Sequence, residues 1–574
     1  MEKKNIAITV LIVALVASGV GNIVLVILGT PEPTIADTSA AYRRSTSSGP
    51  KTLEITDSWD SASNDVLEQV VETLFFYDIF DPNLPLINLL AYDYFWASNT
   101  SLQIRLREGI KFHDGTAFNA EAAKWNLDRL CFLTNCTGTN TGEVAHTQSL
   151  WMFPDFSTPI INNVATVGEY NITITLNGAY APFLATLSYI NAGMISPTAH
   201  ANRETSFLTL NDKPIGTGPF MYDRYVPDVE VRLKRWDGYW MPPANFPWVI
   251  YAIYDDSVTA HNAFLGLELD ANPMASDQDL LAYEADAQKR FTVKRLTTPS
   301  LVYQYLGFNN NKYNMTWRKA FSWAFNYTYI IDELRLGNAY RAYSPISPGW
   351  GLAYNVSCES TAVPNDGDIK VAREVVQSMG FGLGLDTNYP GNNETEWIAA
   401  AEGTTPYFTV SYQYNTGPGF RRDVGVAVAD WLGKIGVAVI DEPLTWSAFL
   451  DYLFDDFDSL GIYCIGWAPD YKSPYNMLDP LFNPLSDSNS AQVNDAGLNA
   501  LMAAALTEID ETARNDIYKD IQYYIQSHYF HAPMYHSKIT GLHLANIAGV
   551  SYNTMGTLRI YPMYRTLFPP FNTT

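Results

Sequence analysis

One stretch combines residue types that could hold a charged ligand: Gly461-Ile462-Tyr463-Cys464-Ile465-Gly466-Trp467-Ala468-Pro469-Asp470-Tyr471. The apolar run from Leu460 to Ile465 reads as a strand buried on both faces. Gly466 frees the backbone at its end, the Trp467 indole follows, and the carboxylate of Asp470 comes three residues later. Ends of such strands are where α/β sheets place ligands. A buried Asp there needs a cationic partner, because an unpaired buried charge is strongly unfavourable. The competing reading is a solvated Asp that opens the turn towards Pro474.

Catalysis has little to build on. There is no Gly-x-Ser-x-Gly elbow, no Gly-x4-Gly-Lys-Ser/Thr loop and no His-Glu-x-x-His. Gly216-Thr217-Gly218-Pro219 is a tight turn, since Pro219 lacks the amide a phosphate site would use. Asp366-Gly367-Asp368 and Asp455-Asp456 do not continue into a calcium loop and read as solvated turns. His528 and His531 would share a helix face, which opens a metal site geometrically, but Pro533 breaks that helix and sends His536 and His543 elsewhere. No metal and no cofactor is expected. Cys131 and Cys136 are close enough to staple one loop; otherwise they, Cys358 and Cys464 are buried thiols.

The elements around these residues alternate between strand and helix. Leu102, Ile104 and Leu106 alternate with polar residues, as do Ile172, Ile174 and Leu176, predicting strands with one wet face. Asn119 can cap a helix through Ala122 to Leu130, and Asp368 another carrying Ile369, Ala372, Val376 and Met379 up to Gly380. Val424, Val428, Trp431 and Ile435 form a further stripe ended by Gly436, with Val437 to Ile440 following as a strand. Ile517, Ile521, Tyr524, Ile525 and His528 mark a late helix. The pattern is α/β, and 574 residues suggest two or more lobes.

Composition narrows the partners. With 60 acidic residues against 36 basic ones the net charge is -24, so the chain repels nucleic-acid phosphates. A hydrophobic share of 47% with 17% charged residues excludes wholesale disorder. A mean hydropathy of -0.09 excludes a polytopic membrane protein.

Only the N-terminus carries a spanning segment. Ile6 to Gly29 is 24 residues without charge, about 36 Å as a helix against a bilayer core of about 30 Å. Lys3 and Lys4 favour an inside N-terminus. Residues 1–30 therefore read as an uncleaved anchor with residues 31–574 outside the cell; the small residues of Ala36 to Ala41 leave a cleaved signal as the alternative. Residues 31–50, rich in Ser, Thr and Pro, read as a disordered linker. Eight Asn-x-Ser/Thr acceptors, at Asn99, Asn135, Asn171, Asn314, Asn326, Asn355, Asn393 and Asn572, suit an outside location and glycosylation.

A series of motifs then runs in order over about residues 50–550. It comprises Val71-Glu72-Thr73-Leu74-Phe75, the run Leu102 to Thr116 ending in Phe112-His113-Asp114-Gly115-Thr116, Gly216 to Phe220 with Arg235 to Trp240, Tyr305 to Asn309, Arg318 to Asn326, and Gly466 to Tyr471. In these the chain resembles the family 5 extracellular solute-binding proteins, the peptide and nickel class that serves ATP-driven importers. The resemblance implies a two-lobed periplasmic-binding-protein-like fold (type II) that closes on its ligand about crossing strands. It further implies one lobe of residues 51–300 completed by 530–574, a second of 301–529, and a monomer working with an ABC permease and its ATPase.

Residue by residue, the resemblance gives Asp470 the α-ammonium group of a peptide. It gives Gly466, Trp467 and Ala468 backbone pairing with that peptide as an added strand. Tyr535, with His536 beside it, and Ser61 complete the expected ligand-binding set. His113 becomes part of a turn. Two positions depart from the pattern. Pro469 removes a backbone donor beside the ligand, and Asn415 stands where dipeptide-selective members carry a carboxylate-clamping Arg, with Arg421 and Arg422 nearby. Longer peptides held mainly by backbone, or a neutral ligand, fit better than a dipeptide. An oligosaccharide or nickel-complex receptor is the alternative within the class. A surface hydrolase or a surface-coat protein is the alternative outside it.

Overall fold

In a computed structural model the described residues are 41–416 and 419–566. The apolar segment 6–29 and most of the 31–50 linker lie outside them. Among the described residues no helix is long and apolar enough to cross a membrane.

The linker expectation is corrected at its end. Tyr42–Thr46 is a strand, parallel to Trp248–Ile253 with Tyr42 opposite Val249. Tyr42 packs on Phe246 at 5.4 Å, and the Arg44 guanidinium pairs with Asp65 at 3.0 Å. Local polarity thus yields to a sheet edge that needed a partner. Glu230–Arg235 and Phe220–Val226 complete this four-stranded sheet.

A second sheet of Ala91–Ser98, Ser101–Leu106, Asn171–Leu176 and Ile161–Thr166 is antiparallel throughout. Leu102, Ile104, Ile172 and Ile174 point into its core while Gln103 and Arg105 stay exposed, the expected alternation. The helix Ala120–Leu133 covers it, capped as expected by Asn119, whose side chain accepts from the Ala122 N–H. From that helix Arg129 reaches Glu54 in a fork with Nη–O distances of 2.8 and 2.6 Å, both side chains fully buried.

The third sheet has six strands in the order Ala339–Arg341, His531–Leu544, Phe291–Phe308, Ile462–Trp467, Phe408–Asn415 and Val437–Leu444. Its two long members, Phe291–Phe308 and His531–Leu544, are antiparallel; the start of the first and the end of the second lie against the Tyr42–Ile560 core, and their opposite ends against the core around Phe321, Tyr412 and Trp431. Helices Ile369–Ser378, Gly419–Gly433 and Glu511–Ser527 fall where the apolar stripes predict.

The motif blocks meet each other. Glu72 is 2% exposed and accepts from the Tyr239 hydroxyl at 2.6 Å, the Thr217 hydroxyl at 2.8 Å and Trp240 Nε1 at 3.0 Å. The His113 ring bonds the Gly218 carbonyl at 2.9 Å and packs edge-on against Trp236, which fixes it in a turn as the motif implies. Gly216 and Gly218 lie against the Val70 carbonyl so closely that any Cβ would collide with it. These blocks build the frame and leave the ligand to other residues.

Candidate ligand pocket after the strand Ile462–Trp467

The strand Ile462–Trp467 pairs antiparallel with Phe291–Phe308, setting Trp467 opposite Tyr303 and Gly466 opposite Gln304. A Cβ at Gly466 would overlap the end of the Gln304 side chain, which would have to swing away to admit it. The chain then turns, and its next residues engage the N-terminal part of the molecule. The Lys472 N–H donates to the Tyr77 hydroxyl at 2.8 Å, and the Tyr471 and Tyr180 hydroxyls lie 3.4 Å apart. The Lys472 ammonium turns away to the Asn83 carbonyl.

This turn carries Asp470 inward. Its N–H donates to Asn476 Oδ1 at 2.6 Å, and its carboxylate accepts from Asn476 Nδ2 at 3.1 Å. The Tyr189 hydroxyl lies near the carboxylate while donating to the Ser58 carbonyl at 3.1 Å, and Asn64 Nδ2 donates to that hydroxyl at 3.2 Å. Burial pushes the carboxyl up to about 6, against the smaller opposing effects of Asn476, Tyr189 and its own backbone N–H. No Lys, Arg or His among the described residues pairs with it. The indole N–H of Trp467, three residues before it in sequence, is buried and has no acceptor.

A second group collects at the end of Phe408–Asn415. Asn415 is buried, and its Oδ1 accepts from the Arg421 guanidinium. Of the two arginines expected near this end, Arg421, in the first turn of its helix, is the one whose guanidinium reaches the place Asn415 holds. It pairs with no carboxylate among the described residues, in contrast to Arg422, which pairs with Asp423 at 2.9 Å. Tyr535 stands in the same group, edge-on to Phe420 at 5.5 Å with the Arg335 guanidinium 5.3 Å from its ring; burial pushes its phenol up to about 12.

The other expected residues are placed elsewhere. His536 follows Tyr535 in one strand and so faces the opposite side of the sheet. Its Nδ1 bonds the Val302 carbonyl at 2.9 Å, its ring lies near Tyr303, and burial pushes it down to about 4. Ser61 is exposed in the first turn of Ser61–Val70, and from that helix it is Asn64 that reaches the pocket. Ala468 is exposed. Tyr189 and Asn64 carried no signal in the sequence, because nothing in their spacing announces a contact with Asp470 hundreds of residues away; Asn476, only six residues on, was not singled out either. The four cysteines are free thiols, and the Cys136 thiol lies within hydrogen-bond reach of the Trp151 carbonyl at 3.4 Å. Among the described residues no three His, Cys, Asp or Glu side chains could hold a metal ion.

The model of the bacterial extracellular solute-binding proteins, family 5, matches residues 86–489. The chain belongs to that family. Heme-binding protein A of Haemophilus influenzae is 25% identical over 451 residues, 76% of each chain. The glutathione-binding protein GsiB of Shigella flexneri is 25% identical over 503 residues, 85% of this chain and 88% of its own. The structure of the periplasmic binding protein DppA from Helicobacter pylori, in complex with the peptide STSA, superposes with a TM-score of 0.75 at 20% identity, over 92% of this chain and 98% of that one. These proteins are binders, and this family 5 member is a substrate-binding protein with an extracytoplasmic place of work, not an enzyme.

Proposed function

We propose that this chain captures oligopeptides between two lobes, residues 51–300 with 530–566 and residues 301–529, and delivers them to an ABC permease. The observation that carries this reading is the half-buried Asp470 carboxylate, held by Asn476 and the turn after Trp467, with no cation paired to it among the described residues. An arriving α-ammonium group would supply the missing charge and a charge-assisted hydrogen bond. The unpaired Arg421 guanidinium supports a carboxylate at the other end of the ligand. The buried, unpartnered Trp467 N–H supports a peptide carbonyl between them. The peptide-bound DppA structure and the glutathione-binding relative are consistent with a zwitterionic peptide-like ligand. The uncharged segment 6–29 would tether the receptor to the membrane.

Isothermal titration with a tetrapeptide pool and its N-acetylated counterpart tests this. Acetylation should remove roughly 2–5 kcal/mol of affinity, the usual effect of losing one member of a buried charge pair. Equal binding of both pools, or tight binding of an oligosaccharide with no amine, would refute the peptide reading.

A further inference from the structure

A cavity of about 160 Å³ lies beside the paired strands Ala339–Arg341 and His531–Leu544. Its wall includes Ser322, Tyr327, Arg341, Tyr343, Tyr529 and His531. No Asp or Glu lines it, in a chain of net charge -24, and it shares none of the residues that surround Asp470.

Three of its lining side chains have unmet hydrogen-bonding capacity. Ser322 is 1% exposed, and its hydroxyl has no partner. His531 is 3% exposed, with Tyr305 at 4.3 Å and Phe482 at 4.8 Å against its ring, and neither ring nitrogen has a partner. The Arg341 guanidinium lies over the Tyr327 ring at 3.5 Å. One of its terminal nitrogens donates to the carbonyls of Ala342 and Pro533, whereas Nε donates to nothing. No carboxylate pairs with Arg341 among the described residues; only the tyrosines around it offset its burial. Arg318 adds a second buried positive charge acting on His531, its own donors occupied by the carbonyls of Tyr313, His528 and Tyr529.

Water could satisfy the unpaired donors, but it carries no charge, and a half-buried cation without a counter-ion is unfavourable. An anion answers both deficits at once. A cavity near 150 Å³ holds a ligand of about benzene's size, so acetate or phosphate fits and a peptide does not. The planar guanidinium fork matches an oxyanion better than a spherical halide.

We propose that this cavity binds a small oxyanion, held by the Arg341 guanidinium, the Ser322 hydroxyl and a His531 ring N–H. The bound anion would bridge the segment of Ser322, Arg341 and Tyr343 to that of Tyr529 and His531, and it acts independently of the Asp470 pocket.

Thermal unfolding of the wild-type chain, Ser322→Ala and Arg341→Gln in Tris chloride, titrated separately with sodium phosphate and sodium acetate at constant ionic strength, tests the proposal. The wild type should show a saturable rise in Tm. Its half-point should move about tenfold higher in Ser322→Ala, the effect of one hydrogen bond to a charged group, and the rise should vanish in Arg341→Gln. Whichever salt saturates at lower concentration identifies the preferred oxyanion. Absence of a saturable rise in the wild type, or an unchanged half-point in Ser322→Ala, overturns the site. If Arg341→Gln does not fold, the Ser322→Ala half-point decides alone.

Discussion

Asp470 and Asn476 bond each other twice. The Asp470 N–H donates to the Asn476 carbonyl oxygen at 2.6 Å, and the Asn476 amide donates to the Asp470 carboxylate at 3.1 Å. This reciprocal pair fixes the turn after Trp467 and holds one half-buried carboxylate that no cation among the described residues pairs with.

Binding of an amine-bearing peptide should therefore depend on pH in a defined direction. The free carboxyl titrates at about 6, above its ordinary 3.8. Above pH 6 the anion awaits the ammonium; as pH falls through 6 it takes a proton and the attraction is lost. Affinity should be about tenfold weaker at pH 5 than at pH 7.5. Titration calorimetry at the two pH values checks this, and Asp470→Asn should bind weakly with no such dependence. Asn476→Ala removes a donor to the carboxylate, so the midpoint should shift upward. A flat profile in the wild type would remove Asp470 from the site.

Arg421 offers a complementary test at the other end of the ligand. Arg421→Gln should weaken peptides with a free C-terminal carboxylate by roughly 10- to 100-fold. It should leave C-terminal amides almost unchanged, since they never offered the charge. Competition of a free-acid peptide and its amide for both proteins reads this directly. Equal losses for acid and amide would mean that Arg421 acts through Asn415 and the local fold instead.

The sequence pointed to Asp470 because a long apolar run, a Gly and a Trp precede it, a local pattern that reads as the end of a buried strand and folds as one, Ile462–Trp467. Helix positions were legible for the same reason: the caps at Asn119 and Asp368 are local hydrogen bonds to the Ala122 and Val371 amides. Tyr189 and Asn64 were not legible, because they join Asp470 only through tertiary closure. Tyr42–Thr46 was hidden by its polar flanks, its order coming from Trp248–Ile253 two hundred residues later. Near Asn415 the sequence offered both Arg421 and Arg422 but not which of them turns back to it, because that choice is made by a turn that a linear reading does not fold.

The Glu54–Arg129 fork predicts a stability defect with its own pH signature. Burial opposes ionisation of Glu54, but Arg129 and the amides of Leu208 and Thr56 outweigh it and hold the carboxyl below its ordinary 4.5. A lowered carboxyl contributes stability that is fully present above pH 4.5 and is lost as pH falls through the folded value. Arg129→Met should destabilise by about 3–5 kcal/mol at pH 7, and that difference should shrink in acid. Urea unfolding at pH 7 and pH 4 measures both; a constant difference would mean that the pair is not ionised.

Glu72 predicts a defect in the frame that spares the pocket. Its two oxygens accept from Tyr239, Thr217 and Trp240, so Glu72→Ala strands three buried donors and leaves a void. The loss should be roughly 3–5 kcal/mol, since each unsatisfied buried donor costs about 1–3 kcal/mol and relaxation recovers part of it. Glu72→Gln should lose less: its carbonyl still serves Tyr239, the Thr217 hydroxyl can reverse and accept, and only the Trp240 indole, which cannot accept, faces an amide donor. Urea unfolding ranks the three proteins. The folded fraction of each should bind peptide as the wild type does, because none of these groups touches Asp470 or Arg421. A selective loss of peptide affinity in Glu72→Gln, with stability intact, would instead move Glu72 from the frame into the ligand's path.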